Sequence, residues 1–592
     1  MKLIATLLLS LSSVFAAMGP TSAAPNGELH AEPASMPVSE ESSIPWNRRT
    51  VEHLYNRAGF GVRGGEISRA LKRTPEQVVE DLLTGGKHSE PPFYSQGTLA
   101  DLKVSKEVPR TEKRRLRAIK SRDDREQLTA YTNWWIGRMV AHDDPLRDRM
   151  ALFWHGLFAT SYLTVKRSYD MIEQHCLIRD NAIENYGDLL QGIVRDPAML
   201  LYLDNEKNKK GKPNENLARE LLELFSLGEG NYTEADIKEV ARSLTGESRD
   251  KIGNYRFIGK DHDKGSKTVF GETGRFRAPE VVKVLLRQTA CSRYIAGRIL
   301  LYFEGVEPDA MRLQEYAATL KRDNYDLKPF LRKLLLDPRF YREDVIAARV
   351  SGPVDYLVGA TRRLSIEIDS EFIFVAATEL GQRLFSPPSV KGWDGGDAWI
   401  NTGSLLARGN TMGIVLDTID FSETFMPLRK EKDPLANRGR VSDSDSEATE
   451  REAPDDESMG EMGGGMEDES MGGAMMGEVD SEMDERDDMP KEISVLLRNL
   501  GKGYRPDVNL TYRMQRMKKT ATEEGLVSEM LEELLAIQPP ADTTARMLEY
   551  FKDECAADGL SVETFFDNPE RSEPVLRRLA HLILSLPEAQ LN

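Results

Sequence analysis

The chain has 592 residues, with 97 Asp and Glu against 79 Lys and Arg, a formal net charge of −18. Hydrophobic residues make up 40%, charged residues 30%, and the mean hydropathy is −0.47, which excludes a membrane bundle and a wholly disordered chain. Three cysteines (Cys176, Cys291, Cys555) allow at most one disulfide and exclude a disulfide-stapled scaffold.

The first residues, MKLIATLLLSLSSVFAAMGPTSAAP, place Lys2 before an apolar run over 3–18. Small-residue cleavage options follow at Val14-Phe15-Ala16 and Ser22-Ala23-Ala24. The pattern predicts a secretory signal peptide over 1–24, a secreted or periplasmic location, and a mature chain beginning between residues 17 and 25. No later apolar run reaches about 18 residues, so no transmembrane segment is expected in the mature chain. Residues 25–45, rich in Pro, Ser and Glu, read as a flexible leader.

From residue 46 the chain reads as helix after helix. TPEQVVEDLL starts with Thr74 as N-cap and Pro75 at the first helical position. Apolar periodicity predicts further helices over about 112–142, 145–160, 168–193, 278–303, 309–321 and 327–336. The basic run Arg110 to Arg125, interleaved with Glu112, Asp123 and Asp124, is a solvated helix face. In the segment NENLARELLELFSLGEGNYTEADIKEVARSLTG (214–246), Asn214 is an N-cap and Leu217, Leu221, Leu224 and Phe225 form one stripe. Thr233 with Asp236 opens a second helix, which Gly246 closes, and the short GEGNY link makes the two an antiparallel pair. Residues 383–410 are rich in loop formers, with Pro387, Pro388, Gly392, Gly395 and Gly396 around Trp393 and Trp399.

Residues 441–490 hold 19 acids and 2 arginines, a net of −17, so the remainder is almost neutral and has no general nucleic-acid-binding character. With Met and Gly but no aromatic residue, this stretch is expected to be a disordered insertion. Its thioethers and carboxylates suit Cu(I) or loosely held Ca²⁺, but the irregular Met spacing and the lack of His or Cys speak against a metal site. Helices over 523–537, 543–557 and 573–586 then complete the main domain begun at 46–440. The expected fold is mainly α: one large multi-helix domain with a loop-rich Pro/Gly/Trp stretch and an acidic insertion, finished by residues 491–592.

Together, NENLARELLELFSLG, HLYNRAGFGV (53–62), PLRDRMALFWHGLF (145–158), HDKGSKTVFG (262–271) and LGQRLFSPPSVKGWDGGDAWINTGSLLAR (380–408) resemble the bacterial family called domain of unknown function 1800. The resemblance implies an often secreted protein and no defined activity. It also points to an exported partner of the family called domain of unknown function 1501. One departure stands out: after Trp154-His155 the resembled pattern runs Asn-His-Phe, whereas this chain has Gly156-Leu157-Phe158. A His-x-His metal pair would therefore lack its second member here.

Glu215, Arg219 and Glu223 share a helix face, with Glu220 beside them. Such an array is either an ion-pair ladder or a set of acid–base candidates tuned by Arg219. His262, Asp263 and Lys267 lie in a polar loop and supply acid, base and cation within six residues, or else cap a turn. Expected metal ligands, if any, are His155, His262 and Asp263, although His155 on an apolar helix reads more readily as a core residue. Trp393, Trp399 and Arg408 are candidate substrate contacts, since indole faces match the apolar faces of sugar rings. No nucleotide-binding, zinc-protease or serine-hydrolase motif occurs, and no cofactor is indicated. Two readings stay open: a hydrolase-like enzyme outside the cytoplasm acting on a polymer such as polysaccharide, and a non-catalytic binding or assembly protein. The first expects His262 or Asp263 within direct or water-bridged reach of the Glu215–Arg219–Glu220–Glu223 group.

Overall fold

Short polar side chains set many of the helix starts in this chain. The computed structural model, which describes residues 43–86, 89–96, 109–250, 252–419, 508–519 and 521–592, shows where they act. Thr74 accepts from the amide of Gln77 and starts the Pro75–Thr84 helix. Thr233 and Asp236 form a reciprocal capping box that starts Glu234–Ser243. Asn214, expected as an N-cap, lies one residue before the cap position, which Glu215 occupies. The Asn214 side chain accepts from Asn216 at 3.0 Å, and the helix Asn216–Leu222 begins after Glu215. That helix widens into a π-helical turn over Glu223–Leu227.

The described chain is mainly helical, and residues Ile44–Asn592 gather into one unit. The basic run lies on the Arg110–Ala141 helix, where Lys120 pairs with Asp124 and Arg122 with Glu126. The apolar half of this helix packs on Ser168–Asp180, Pro353–Leu364 and Ser370–Glu379. Two long expected helices are each broken in two. The run 168–193 divides into Ser168–Asp180 and Tyr186–Ile193, where Asn185 caps the second piece; the run 278–303 divides at Gln288.

Two antiparallel hairpins escaped the sequence pattern: Glu247–Arg249 with Tyr255–Phe257, and Lys267–Val269 with Glu272–Gly274. Strands of three residues are too short to show an alternating period. The expected loop stretch 383–410 ends earlier, because Asn401 caps a helix over Thr402–Val415. Against it packs the last long helix, Pro569–Leu584, and the chain end returns to Arg349–Ser351. There the amide of Ser351 donates to Gln590 at 2.7 Å and that of Asn592 to Arg349 at 2.9 Å. All three cysteines are free. No described helix is long and apolar enough to cross a membrane. The expected signal peptide over 1–24, nearly all of the leader and the acidic insertion at 441–490 lie outside the described residues.

Candidate functional site

A cleft of about 460 Å³ opens where four parts of the chain meet. One wall is the last turn of the Pro145–Leu157 helix, another the Thr289–Glu304 helix. The floor is the segment from Ala348 to Gly352 leading into the Pro353–Leu364 helix, and the loop from Lys391 to Trp399 closes the mouth. Its volume suits a ligand of a few sugar-sized units. Another concavity, beside Arg48 and Glu52, offers about 20 Å³, room for little more than water.

The loop is held by its backbone. Phe385 donates its amide to Nε2 of His155 at 3.1 Å, and its carbonyl accepts from Tyr162 at 2.8 Å. Gly392, with φ +82°, lies so close to Gly156 that a Cβ would overlap the Gly156 carbonyl oxygen. Glycine is required here by both backbone conformation and contact. This docking sets the Trp393 ring 5.8 Å from the His155 ring and leaves its indole nitrogen buried without a hydrogen-bond partner. A 3₁₀ turn over Gly396–Trp399 brings the Trp399 indole nitrogen against Gly352.

Beneath lies a set of buried charges. Asp355, in the first turn of its helix, pairs with Arg149 and, at 2.6 Å, with Arg349. Burial pushes this carboxyl up, yet Arg149 and Arg349 together hold it below the ordinary range. Arg349 stacks over Tyr302 at 4.3 Å, and Arg149 over Phe60 at 4.1 Å. At the mouth, Arg298, Lys391, Asp394 and Asp397 are exposed, and among the described residues their side chains have no hydrogen bond or ion pair.

The sequence candidates fall into separate places. Trp393 and Trp399 line the cleft, whereas Arg408 does not. Arg408 is buried, donating to Gln590 at 3.0 Å and to the Ser351 carbonyl at 2.8 Å, so it ties the chain end to the fold. His155 is a core residue: an Nε2 that accepts the Phe385 amide puts the ring proton on Nδ1, and burial pushes the imidazole down to about 4. Gly156 and Leu157, the two positions that depart from the resembled pattern, line the cleft.

Arg219 pairs at the surface with Glu234 at 3.0 Å and with Glu215 at 3.6 Å, and Glu223 accepts from the Tyr232 hydroxyl at 2.5 Å. Glu220 is half-buried, and its carboxyl is raised by burial and by Glu223, with Lys391 of the cleft loop acting the other way. His262 donates from Nδ1 to the Thr245 carbonyl at 2.9 Å, and burial lowers its imidazole. Asp263 accepts from Arg242 at 2.9 Å and from the Gly265 amide at 2.8 Å, and the Arg242 bond keeps its carboxyl low. Lys267 opens a strand rather than lying free in a loop; its ammonium donates to the Phe276 carbonyl at 3.0 Å and to that of Asp263. Thus the expected meeting of His262 or Asp263 with the Glu215–Glu223 face does not occur through any direct hydrogen bond or ion pair among the described residues. No described group of three or more His, Cys, Asp or Glu is arranged to hold a metal ion.

Sequence reasoning missed Asp355, Arg149 and Arg349. A usable signal was present: Arg149 stands directly before the apolar run Met150–Trp154 and Asp355 within the apolar start of its helix, and a charge placed so must find a partner. Arg349 sits in an irregular segment and gave no such sign.

Residues 53–591 match the sequence profile of a family described as protein of unknown function (DUF1800). No curated protein and no solved structure matches the chain.

Proposed function

The chain belongs to the DUF1800 family, whose function is unknown, and from its cleft we propose that it is a binding protein acting outside the cytoplasm on a polymer such as a polysaccharide. The observation that supports this reading is the division of labour between cleft and surroundings. The cleft presents two indoles and unpaired polar side chains, while His262, Asp263 and Lys267 are each tied to local partners outside it. Flat aromatic faces beside hydrogen-bonding groups suit pyranose rings, with no bond-breaking apparatus needed. The location rests on the signal-peptide pattern at the N-terminus.

A second reading, hydrolysis, has one observation in its favour: Glu220 has a raised carboxyl close enough to Lys391 of the cleft loop to feel its charge. Calorimetric titration of the protein with oligosaccharides, run beside a reducing-end assay, separates the two. Binding weakened by Trp393→Ala and Trp399→Ala, without new reducing ends, is the expected result. Chain cleavage that disappears in Glu220→Gln would establish the hydrolase instead, and no binding to any oligosaccharide would refute both.

A further inference from the structure

We propose, resting on the saccharide reading above, that the cleft selects an anionic chain, one whose carboxylate or sulfate group sits toward Arg349 and Arg298. Cations outnumber carboxylates beneath and beside the floor. Arg57, Arg149 and Arg349 surround Asp355, which bonds to the last two. Arg57 is fully buried and spends one nitrogen on the carbonyls of Val345, at 2.9 Å, and Glu304, at 3.4 Å. Its Nε and Nη1, and Nη1 of Arg349, have no hydrogen-bond partner. The nearby carboxylate of Glu304 acts on Arg57 through its charge alone, because its oxygens are bonded by Arg312. Arg57 and Arg149 lie behind the lining, so they reach the cleft as positive potential behind Arg349, the guanidinium that lines it and keeps an unbonded nitrogen.

Two further cations extend this positive floor to the mouth. Arg298 lies one helical turn before Tyr302, the ring on which Arg349 stacks, and Lys391 enters from the loop. Neither has a hydrogen bond or ion pair through its side chain among the described residues, although Lys391 acts electrostatically on Glu220. Arginine presents a planar fork that matches the two oxygens of a carboxylate or sulfate. The opposing groups at the mouth, Asp394 and Asp397, are acceptors. They suit the hydroxyl donors of neighbouring sugar units rather than the anionic group itself.

Titration calorimetry with a neutral gluco-hexaose, a hexauronate and a sulfated hexaose tests this. The anionic hexamers should bind about tenfold or more tightly than the neutral one, with a steeper salt dependence. Whichever of the two binds better identifies the group. Arg298→Gln, at an exposed position where folding is not at stake, should weaken the anionic ligands about three- to tenfold more than the neutral one. Arg349→Lys, checked by its melting curve, keeps the charge and loses the fork, and should lower the preference further. Equal affinity for all three hexamers, or equal losses on Arg298→Gln, would overturn the anionic preference and leave the saccharide reading intact. Absence of binding by all three would overturn both.

Discussion

In the loop from Phe385 to Trp399 the backbone is tied down and the charged side chains are left free. In the segment from Asn214 to Lys267 the side chains of Arg219, His262, Asp263 and Lys267 are themselves tied. His155, Tyr162 and Gly156 fix the loop through its amides, carbonyls and a glycine contact, so Lys391, Asp394 and Asp397 are still without hydrogen bonds or ion pairs. Arg242, Thr245, Phe276 and Glu234 instead consume Asp263, His262, Lys267 and Arg219 one by one. A group already bonded must lose that bond before it meets a ligand, whereas a free group on a fixed backbone is preorganised. Density of titratable residues in the sequence is therefore a poorer guide to a site than the means by which the backbone beneath them is held.

The comparison breaks most visibly at the floor of the cleft. Asp355→Ala leaves Arg149 buried, and Arg349 partly buried, without their carboxylate, and urea unfolding should show a loss of about 3–5 kcal/mol. A loss below about 1 kcal/mol would mean that the floor is solvated and that its charges need no partner.

Acid should loosen the loop from its other support. His155 is held neutral in the fold, with its imidazole near 4 against about 6.5 when unfolded. The unfolded chain therefore binds the proton first as pH falls, and stability drops between about pH 6.5 and 4. Over that window the wild type should lose roughly 3 kcal/mol relative to His155→Gln, which offers an acceptor to Phe385 and does not titrate. Parallel pH curves for the two proteins would show that this histidine is not the group responsible. Gly392→Ala should then cost about 2 kcal/mol, from a left-handed φ and the overlap with Gly156, and should abolish oligosaccharide binding with the loop displaced.

Much of the fold was legible because helix signals are local. Thr74 with Pro75, and Thr233 with Asp236, fixed helix starts within a few residues, and apolar stripes gave the faces that now form the core. What was illegible depended on contacts distant in sequence. The run 168–193 is interrupted where Asn185 donates to the Asn324 carbonyl at 2.8 Å and the Tyr186 amide to that of Tyr325 at 3.0 Å, and the three-residue strands at 247–257 exist only as a pair. At the site, the two tryptophans were readable from the Gly- and Pro-rich loop. Their neighbours Arg349 and Asp355 come together with Arg149, some 200 residues earlier in the chain. His262 and Asp263 drew attention as a loop pair, but sequence could not show that Thr245 and Arg242 face them.

The smallest effects are expected where the tied segment is cut. Arg219→Ala removes a surface pair between side chains in solvent, and its melting temperature should stay within about 1 °C of wild type. Asp263→Asn keeps an acceptor for the Gly265 amide and loses only the charge paired with Arg242, so it too should fold and bind as before. Glu220→Gln is the sharpest of the three, because Glu220 alone among these residues is coupled to the cleft loop through Lys391. As a neighbour of a binding cleft it should change oligosaccharide affinity by less than about twofold, since Lys391, the loop group it acts on, is exposed and screened by solvent. A tenfold loss with an unchanged melting curve would move the functional centre onto the acid face of the Asn216–Leu222 helix. The free loop would then be a lid for groups that only look tied, and the order of the two regions would be reversed.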